Sequence, residues 1–266
     1  MIFVALAAIA CEPTPASEFT DRPVVSCFLE DGESPVLKVQ KLIPFKEDVE
    51  FSAEDVDALN IVIKDETSGD EYLLQSIGGG EYKNEGLTVE TGHTYSLAFE
   101  YDGEMVSSQT TVPSKPENVK FSSNSISVFG FPSSVSAAGV RAPGDGVEIT
   151  WSNPSGDYYI VEGVTVSNNY INDPDEDEQE PARSFKLDYT QRESQTLSSG
   201  SFNYYGDYTI SVLHIQPEYA MISQGSFNTV TTMVDIRGNI DGGYGIFTGI
   251  GRVSGTVRVR AQSMPF

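Results

Sequence analysis

Short apolar runs alternate with polar turns along most of the chain. From residue 23 to residue 113 the runs are PVVSCFLE, SPVLKVQKLI, LNIVIKDE, EYLLQSI and GLTVETGHTYSLAFEYDGEMVSSQTTVP. The turn segments DGES, TSGDE, GGGEYKNEG, ETGH and YDGE separate or punctuate them. Alternation with period two, broken by Gly, Asp and Asn, predicts half-buried strands and an all-β sandwich. Asp102-Gly103 predicts a two-residue hairpin, because both residues tolerate the positive φ that matches strand twist. Phe51–Asn60 opens with a Ser-x-x-Asp capping pattern. It fits one helical turn, or equally a loop whose Val56 and Leu59 cover the core.

Two prolines around Ser114-Lys115 interrupt the pattern and mark a boundary over residues 114–119. Residues 120–266 are again β-rich and predict a second sandwich-like domain. GVEITWSNPSGDYYIVEGVTVSN reads as two strands around an NPSGD turn, with Trp151 in the first as a core residue. SFKLDYT, DYTISVLHIQPEYAMI, NTVTTMVDIRGNI and GRVSGTVRVRAQ read as further strands. Heptads and long amphipathic helices are absent from the sequence.

Composition supports two real cores. The 266 residues are 39% hydrophobic and 11% aromatic, with 13 Tyr and 14 Phe, which suits strands and argues against global disorder. Charge narrows the partners. With 39 acidic residues against 16 basic ones, the net charge of −23 repels nucleic acid and anionic lipid headgroups.

Met1–Ala10 carries no charged or polar side chain and is too short to span a bilayer, which takes about 20 apolar residues. It reads as the hydrophobic region of a secretory signal. LAAIAC, ending at Cys11, resembles a bacterial lipobox, so Cys11 would carry acyl chains and begin the mature protein. No Lys or Arg precedes the apolar run, which departs from that pattern. Residues 12–22, polar and Pro-rich, would be a tether. Cys11 and Cys27 do not form a disulfide framework. Cys27 sits in an apolar run expected to be a core strand.

Four features invite a chemical reading. GNIDGGYGIFTGIG holds six glycines in fourteen residues. A phosphate loop would need a terminal Lys and a following helix, and neither is present. Close backbone packing explains the glycines better, with Tyr244, Ile246 and Phe247 as anchors between sheets. The acidic loop 172–181 places Asp173, Asp175 and Asp177 at alternate positions, where Ca²⁺ would find oxygens. The Gly and Glu of a calcium loop are missing from their positions, and a solvated like-charge segment is the stronger reading. His93 and His214 show no metal spacing, and no Gly-x-Ser-x-Gly elbow accompanies them. A hydrolase would need one of them beside a nucleophile or a carboxylate pair in a cleft. Finally, Tyr204, Tyr205 and Tyr208 form an aromatic cluster that would stack on a sugar if exposed, though such clusters more often fill cores.

Taken in order, LAAIAC, VVSCFLEDGESPVLKVQKLIPF, ITWSNPSGDYYIVEG and GNIDGGYGIFTG resemble the domain of unknown function 4249 family. The matching positions in the last stretch are Asn239, Ile240, Gly242, Gly243, Gly245, Ile246 and Phe247. In the third they are Asn153, Pro154, Gly156, Tyr158 and Tyr159. Cys27 departs from the resemblance, which favours a small residue there. The resemblance implies an Ig-like or carboxypeptidase-regulatory-like sandwich over residues 23–113, followed by a second β-domain over residues 120–266. It further implies a lipoprotein of the outer membrane, accessory to a TonB-dependent transporter, and the cell surface is expected over the periplasmic face. It brings no reaction and no cofactor. The expectation is therefore a non-catalytic binding protein, with a stand-alone carbohydrate- or peptide-binding module or adhesin as the alternative.

Overall fold

The structure is a computed structural model, and it describes residues 21–41, 56–128, 146–172, 179–224 and 238–262. The strands of the first half are β1 (Pro23–Glu30), β2 (Val36–Lys41), β3 (Val62–Asp65), β4 (Glu71–Leu73), β5 (Gln75–Gly78), β6 (Glu81–Lys83), β7 (Thr94–Tyr101) and β8 (Glu104–Thr111). The second half adds β9 (Glu117–Phe121), β10 (Ser125–Val128), β11 (Val147–Ser152), β12 (Tyr158–Val164), β13 (Asn169–Tyr170), β14 (Ser184–Lys186), β15 (Ser194–Leu197), β16 (Tyr204–Ile215) and β17 (Tyr244–Ala261). Among the described residues one α-helix, α1 (Pro217–Gln224), lies between β16 and β17. The molecule is all-β, as the alternation predicts.

Local rules account for most of these elements. In β1, Val25, Cys27 and Leu29 are buried while Ser26 and Phe28 face the other way. In β7, Tyr95, Leu97, Phe99 and Tyr101 do the same. The β7–β8 hairpin closes at Tyr101 opposite Glu104. Asp102 (φ 50°) and Gly103 (φ 80°) both take the left-handed conformation of the predicted primed turn. Val56 is fully buried and Leu59 packs against the same core, while residues 51–55, with the capping serine, lie outside the described residues.

The described strands form three sheets. A ten-stranded sheet runs β14-β12-β16-β17-β1-β2-β6-β5, with β10 also on β17 and β13 on β16. Across it lie a four-stranded sheet, β4-β3-β7-β8, and a three-stranded sheet, β15-β11-β9. The first core, around Leu29, Leu37, Ile63, Leu97 and Phe247, lies between the large and the four-stranded sheets. The second, around Ile149, Trp151, Tyr208, Val212 and Val257, lies between the large and the three-stranded sheets. The two sandwiches thus share one wall.

β17 makes that sharing possible. At roughly 3.3 Å per residue its 18 residues extend about 60 Å. Its first part pairs in parallel with β1, Tyr244 to Ile250 against Val24 to Glu30. Its remainder pairs antiparallel with β16, and Arg258 to Ala261 also pair with β10. The sequence predicts two sandwiches in series, divided at residues 114–119. The structure corrects this: the C-terminal strand returns to complete the first sandwich, and Glu117–Phe121 is already strand β9.

A second correction concerns DYTISVLHIQPEYAMI, read as one strand. β16 ends at Ile215 and α1 begins at Pro217. Proline cannot donate to a ladder, but its fixed φ suits the first turn of a helix. The helix covers the outer face of the large sheet, where Ala220 joins Ile160, Leu213, Ile215 and Ile250 in a third, smaller cluster.

Candidate functional site

The glycine-rich stretch is the junction of the two sandwiches. Gly238, Gly242 and Gly245 have φ of 57°, 78° and 100°. A side chain on Gly245 would drive into the carbonyl oxygen of Val25 on β1, and one on Gly242 into that of Met105 on β8. Gly243 abuts Pro23 less tightly, since a Cβ there would lie 2.9 Å from its carbonyl oxygen. Further along, a Cβ on Gly249 would lie 2.6 Å from the carbonyl oxygen of Thr111 and from Cα of Val112. One on Gly251 would strike the carbonyl of Ser114. The crossing segment from β8 to β9 therefore lies directly against the β17 backbone.

Asn239 completes the junction. Its Nδ2 donates to Phe247 O at 2.7 Å, and its Oδ1 accepts from Phe247 N at 3.0 Å. Phe247 is fully buried in the first core. Of the three expected anchors, only Phe247 enters that core. Ile246 is buried outside the two inter-sheet clusters, and Tyr244 is half-buried. The stretch holds backbones together, and no anion cradle with a lysine forms.

The histidines are occupied by acceptors. His93 Nδ1 lies 2.7 Å from Asp65 Oδ2, and its Nε2 lies 3.4 Å from Glu90. Asp65 is buried and also accepts the backbone N–H groups of Thr67 and Ser68. The Asp65 hydrogen bond raises the pKa of His93. For Asp65 burial pushes upward, but His93 and the two N–H groups outweigh it and hold the carboxyl below its ordinary range. His214 Nδ1 lies 2.9 Å from Ser114 O and its Nε2 3.5 Å from Asp157, while its ring stacks on Tyr159 at 4.9 Å. A triad needs an imidazole nitrogen facing a hydroxyl. These rings face carboxylates and a carbonyl.

The tyrosine platform is overturned by burial. Tyr204 and Tyr208 are 0% and 1% exposed and belong to the second core. Tyr204 Oη donates to Pro181 O, and Tyr208 packs edge-on against Phe202. Tyr205 is half-buried against the same core. Tyr204 and Tyr208 hold the sandwich and offer no open face for a sugar, so the three tyrosines form no exposed platform.

A different concave surface exists on the outer face of the large sheet, beside α1. Its volume is about 460 Å³, and Glu162, Lys186, Ser211, Arg252 and Ser254 line it. Arg252 Nε lies 3.1 and 3.0 Å from the two carboxylate oxygens of Glu30, and Nη1 lies 2.6 Å from Glu162. Burial disfavours the guanidinium charge, but the two glutamates outweigh it and keep its pKa raised. Nothing in the sequence announces this cluster except one arginine in an otherwise small and apolar run, FTGIGRVSG.

The sequence profile of the family described as domain of unknown function (DUF4249) matches residues 11–256. The chain belongs to this family. Among curated proteins none matches it. In this DUF4249 chain the match begins at Cys11, which lies outside the described residues, as do Asp173, Asp175 and Asp177. Among the described residues no cluster of three or more His, Cys, Asp or Glu is arranged to hold a metal ion. The other stretch of the resemblance is ordered by Asn153. Its Nδ2 donates to Asp157 O and Gln191 O, and its Oδ1 accepts from Asp157 N. Gly156 there takes φ 72°. Both stretches are thus turn-fixing devices in this DUF4249 fold.

Proposed function

We propose that the protein is an outer-membrane lipoprotein, anchored through acyl chains on Cys11 at the cell surface, that acts as a non-catalytic partner of a TonB-dependent transporter. The observation that carries this reading is the start of the family match at Cys11, the last residue of LAAIAC, where a lipidated mature chain would begin. Multiple acyl chains anchor firmly, since each buried CH₂ contributes about 0.8 kcal/mol. The described chain begins at one end of β1, where Tyr101 Oη and Lys41 Nζ bind Asp21 at 3.1 and 3.0 Å. A leash of residues 12–20 spans at most about 30 Å. It would keep the shared-wall body close to the bilayer and raise its effective concentration at a membrane partner. The occupied imidazoles of His93 and His214 favour binding over hydrolysis.

Labelling cells with radioactive palmitate tests the anchor. Wild-type chain should be labelled and sediment with outer membranes, and Cys11→Ala should be neither. Affinity capture of the lipidated chain from solubilised membranes should then recover a TonB-dependent transporter. Unlabelled wild-type chain, or capture without any transporter, would overturn the corresponding half of the reading.

A further inference from the structure

The outer-face groove carries a charge arrangement that the sheet itself does not require. Arg252 stands mid-way along β17, between Glu30 of β1 and Glu162 of β12. The three side chains are between 26% and 33% exposed; Arg252 and Glu162 line the groove, and Glu30 holds Arg252 from beside it. Partly withdrawn charges cost desolvation, and exposed pairs return little. Elsewhere on this face the fold uses hydroxyls instead: Ser211 and Ser254 bond each other at 2.9 Å one row away. Lys186 closes the groove towards α1, its Nζ 5.4 Å from the ring centroid of Tyr219. Tyr219 in turn meets Phe28 edge-on at 5.2 Å, and both rings are partly exposed.

This chemistry selects a class of ligand. The formal charges of Glu30 and Glu162 cancel those of Arg252 and Lys186. The net charge of −23 disfavours an anion, and both carboxylates are already matched by Arg252, so a cation gains little. What remains along the groove is a row of donors and acceptors, the Arg252 guanidinium and the Glu162 carboxylate beside the hydroxyls of Thr209, Ser211 and Ser254. Vicinal hydroxyls present a donor and an acceptor on each of two adjacent carbons and complement such a row. The ring of Phe185, which lines the groove, would cover the apolar C–H face of a sugar ring. A cavity of about 460 Å³ falls within the range of small-ligand sites. We propose that this groove, bounded by β12, β14, β16 and β17, binds a neutral oligosaccharide. The site is independent of the anchoring reading, because its binding is measured without membrane or transporter.

The test uses the full chain carrying Cys11→Ser on an array of neutral and acidic oligosaccharides, followed by calorimetric titration of the strongest neutral hit. At least one neutral glycan should bind. Ser254→Trp, which fills the groove from an exposed position, should weaken it at least tenfold. Glu162→Gln, which keeps the shape but removes an acceptor charge, should weaken it several-fold and guards against a misfolded tryptophan variant. Thr196→Trp, on the distant β15, should leave binding unchanged. Binding of acidic glycans alone, no binding at all, or affinity unaffected by Ser254→Trp and Glu162→Gln in folded protein would overturn the proposal.

Discussion

Asn239 gives Phe247 two ladder-like bonds. β16 ends opposite Ile250, and among the described residues no strand continues along that β17 edge, so the Asn239 carboxamide stands in for one there. A carboxamide does this because it offers a donor and an acceptor at the spacing of a peptide group. Asn239→Ala leaves both backbone groups of Phe247 without these partners. The expected loss of stability is about 2–4 kcal/mol, read from urea unfolding. Asn239→Asp should cost more at neutral pH, because a carboxylate then faces the Phe247 carbonyl. A loss below about 0.5 kcal/mol for the alanine variant would show that water replaces the amide.

Gly249 and Gly251 should be intolerant of even one methyl group. Each would push against the backbone of residues 111–115, which has no flexible side-chain end to yield. Gly249→Ala and Gly251→Ala should each destabilise by about 1–3 kcal/mol, as overpacking does. Gly200→Ala is the control. Its Cβ would find its nearest neighbour 3.8 Å away, and its stability should change by less than about 0.5 kcal/mol. Equal stability of all three variants would remove the close-packing explanation of the glycine-rich stretch.

What was legible in the sequence was local. The Asp102-Gly103 turn, the inward residues of β1 and β7 and the burial of Trp151 follow from neighbours a few residues apart. The glycines of 238–251 were readable as a packing device, but not what they pack against. β1 and β17 pair across more than 200 residues, and no short-range pattern reports a parallel partner so distant. The aromatic cluster failed for a related reason. Period-two alternation places Tyr204 and Tyr208 on one face without saying which side a second sheet covers. Arg252 was invisible as a site because its partners lie 222 and 90 residues away.

His93 and Asp65 should make stability depend on pH from both sides. The folded-state pKa of His93 is raised, so its contribution is complete below about 6.5 and is lost as pH rises through the higher folded value. The pKa of Asp65 is lowered, so its contribution is present above about 3.9 and is lost as pH falls through the lower folded value. His93→Gln should therefore flatten the stability decline on the alkaline side of pH 6.5. Urea midpoints measured between pH 5 and pH 9 check this. An identical alkaline slope in wild type and variant would contradict it.

Cys27 should be chemically silent while the protein is folded. It is 1% exposed on β1, opposite Phe247, and burial pushes its thiol up to about 12. The thiolate is the reactive form, and at pH 8 roughly one molecule in ten thousand would carry it. In the Cys11→Ser chain, Ellman's reagent should release no colour over minutes in buffer and one equivalent in denaturant. Slow labelling in buffer should follow the rate of opening and accelerate with urea. Cys27→Ala should fold at a cost of about 1 kcal/mol, since it removes one buried atom and no hydrogen bond. Immediate stoichiometric labelling of the native chain would mean that β1 leaves the sheet readily, which its place between β17 and β2 does not allow.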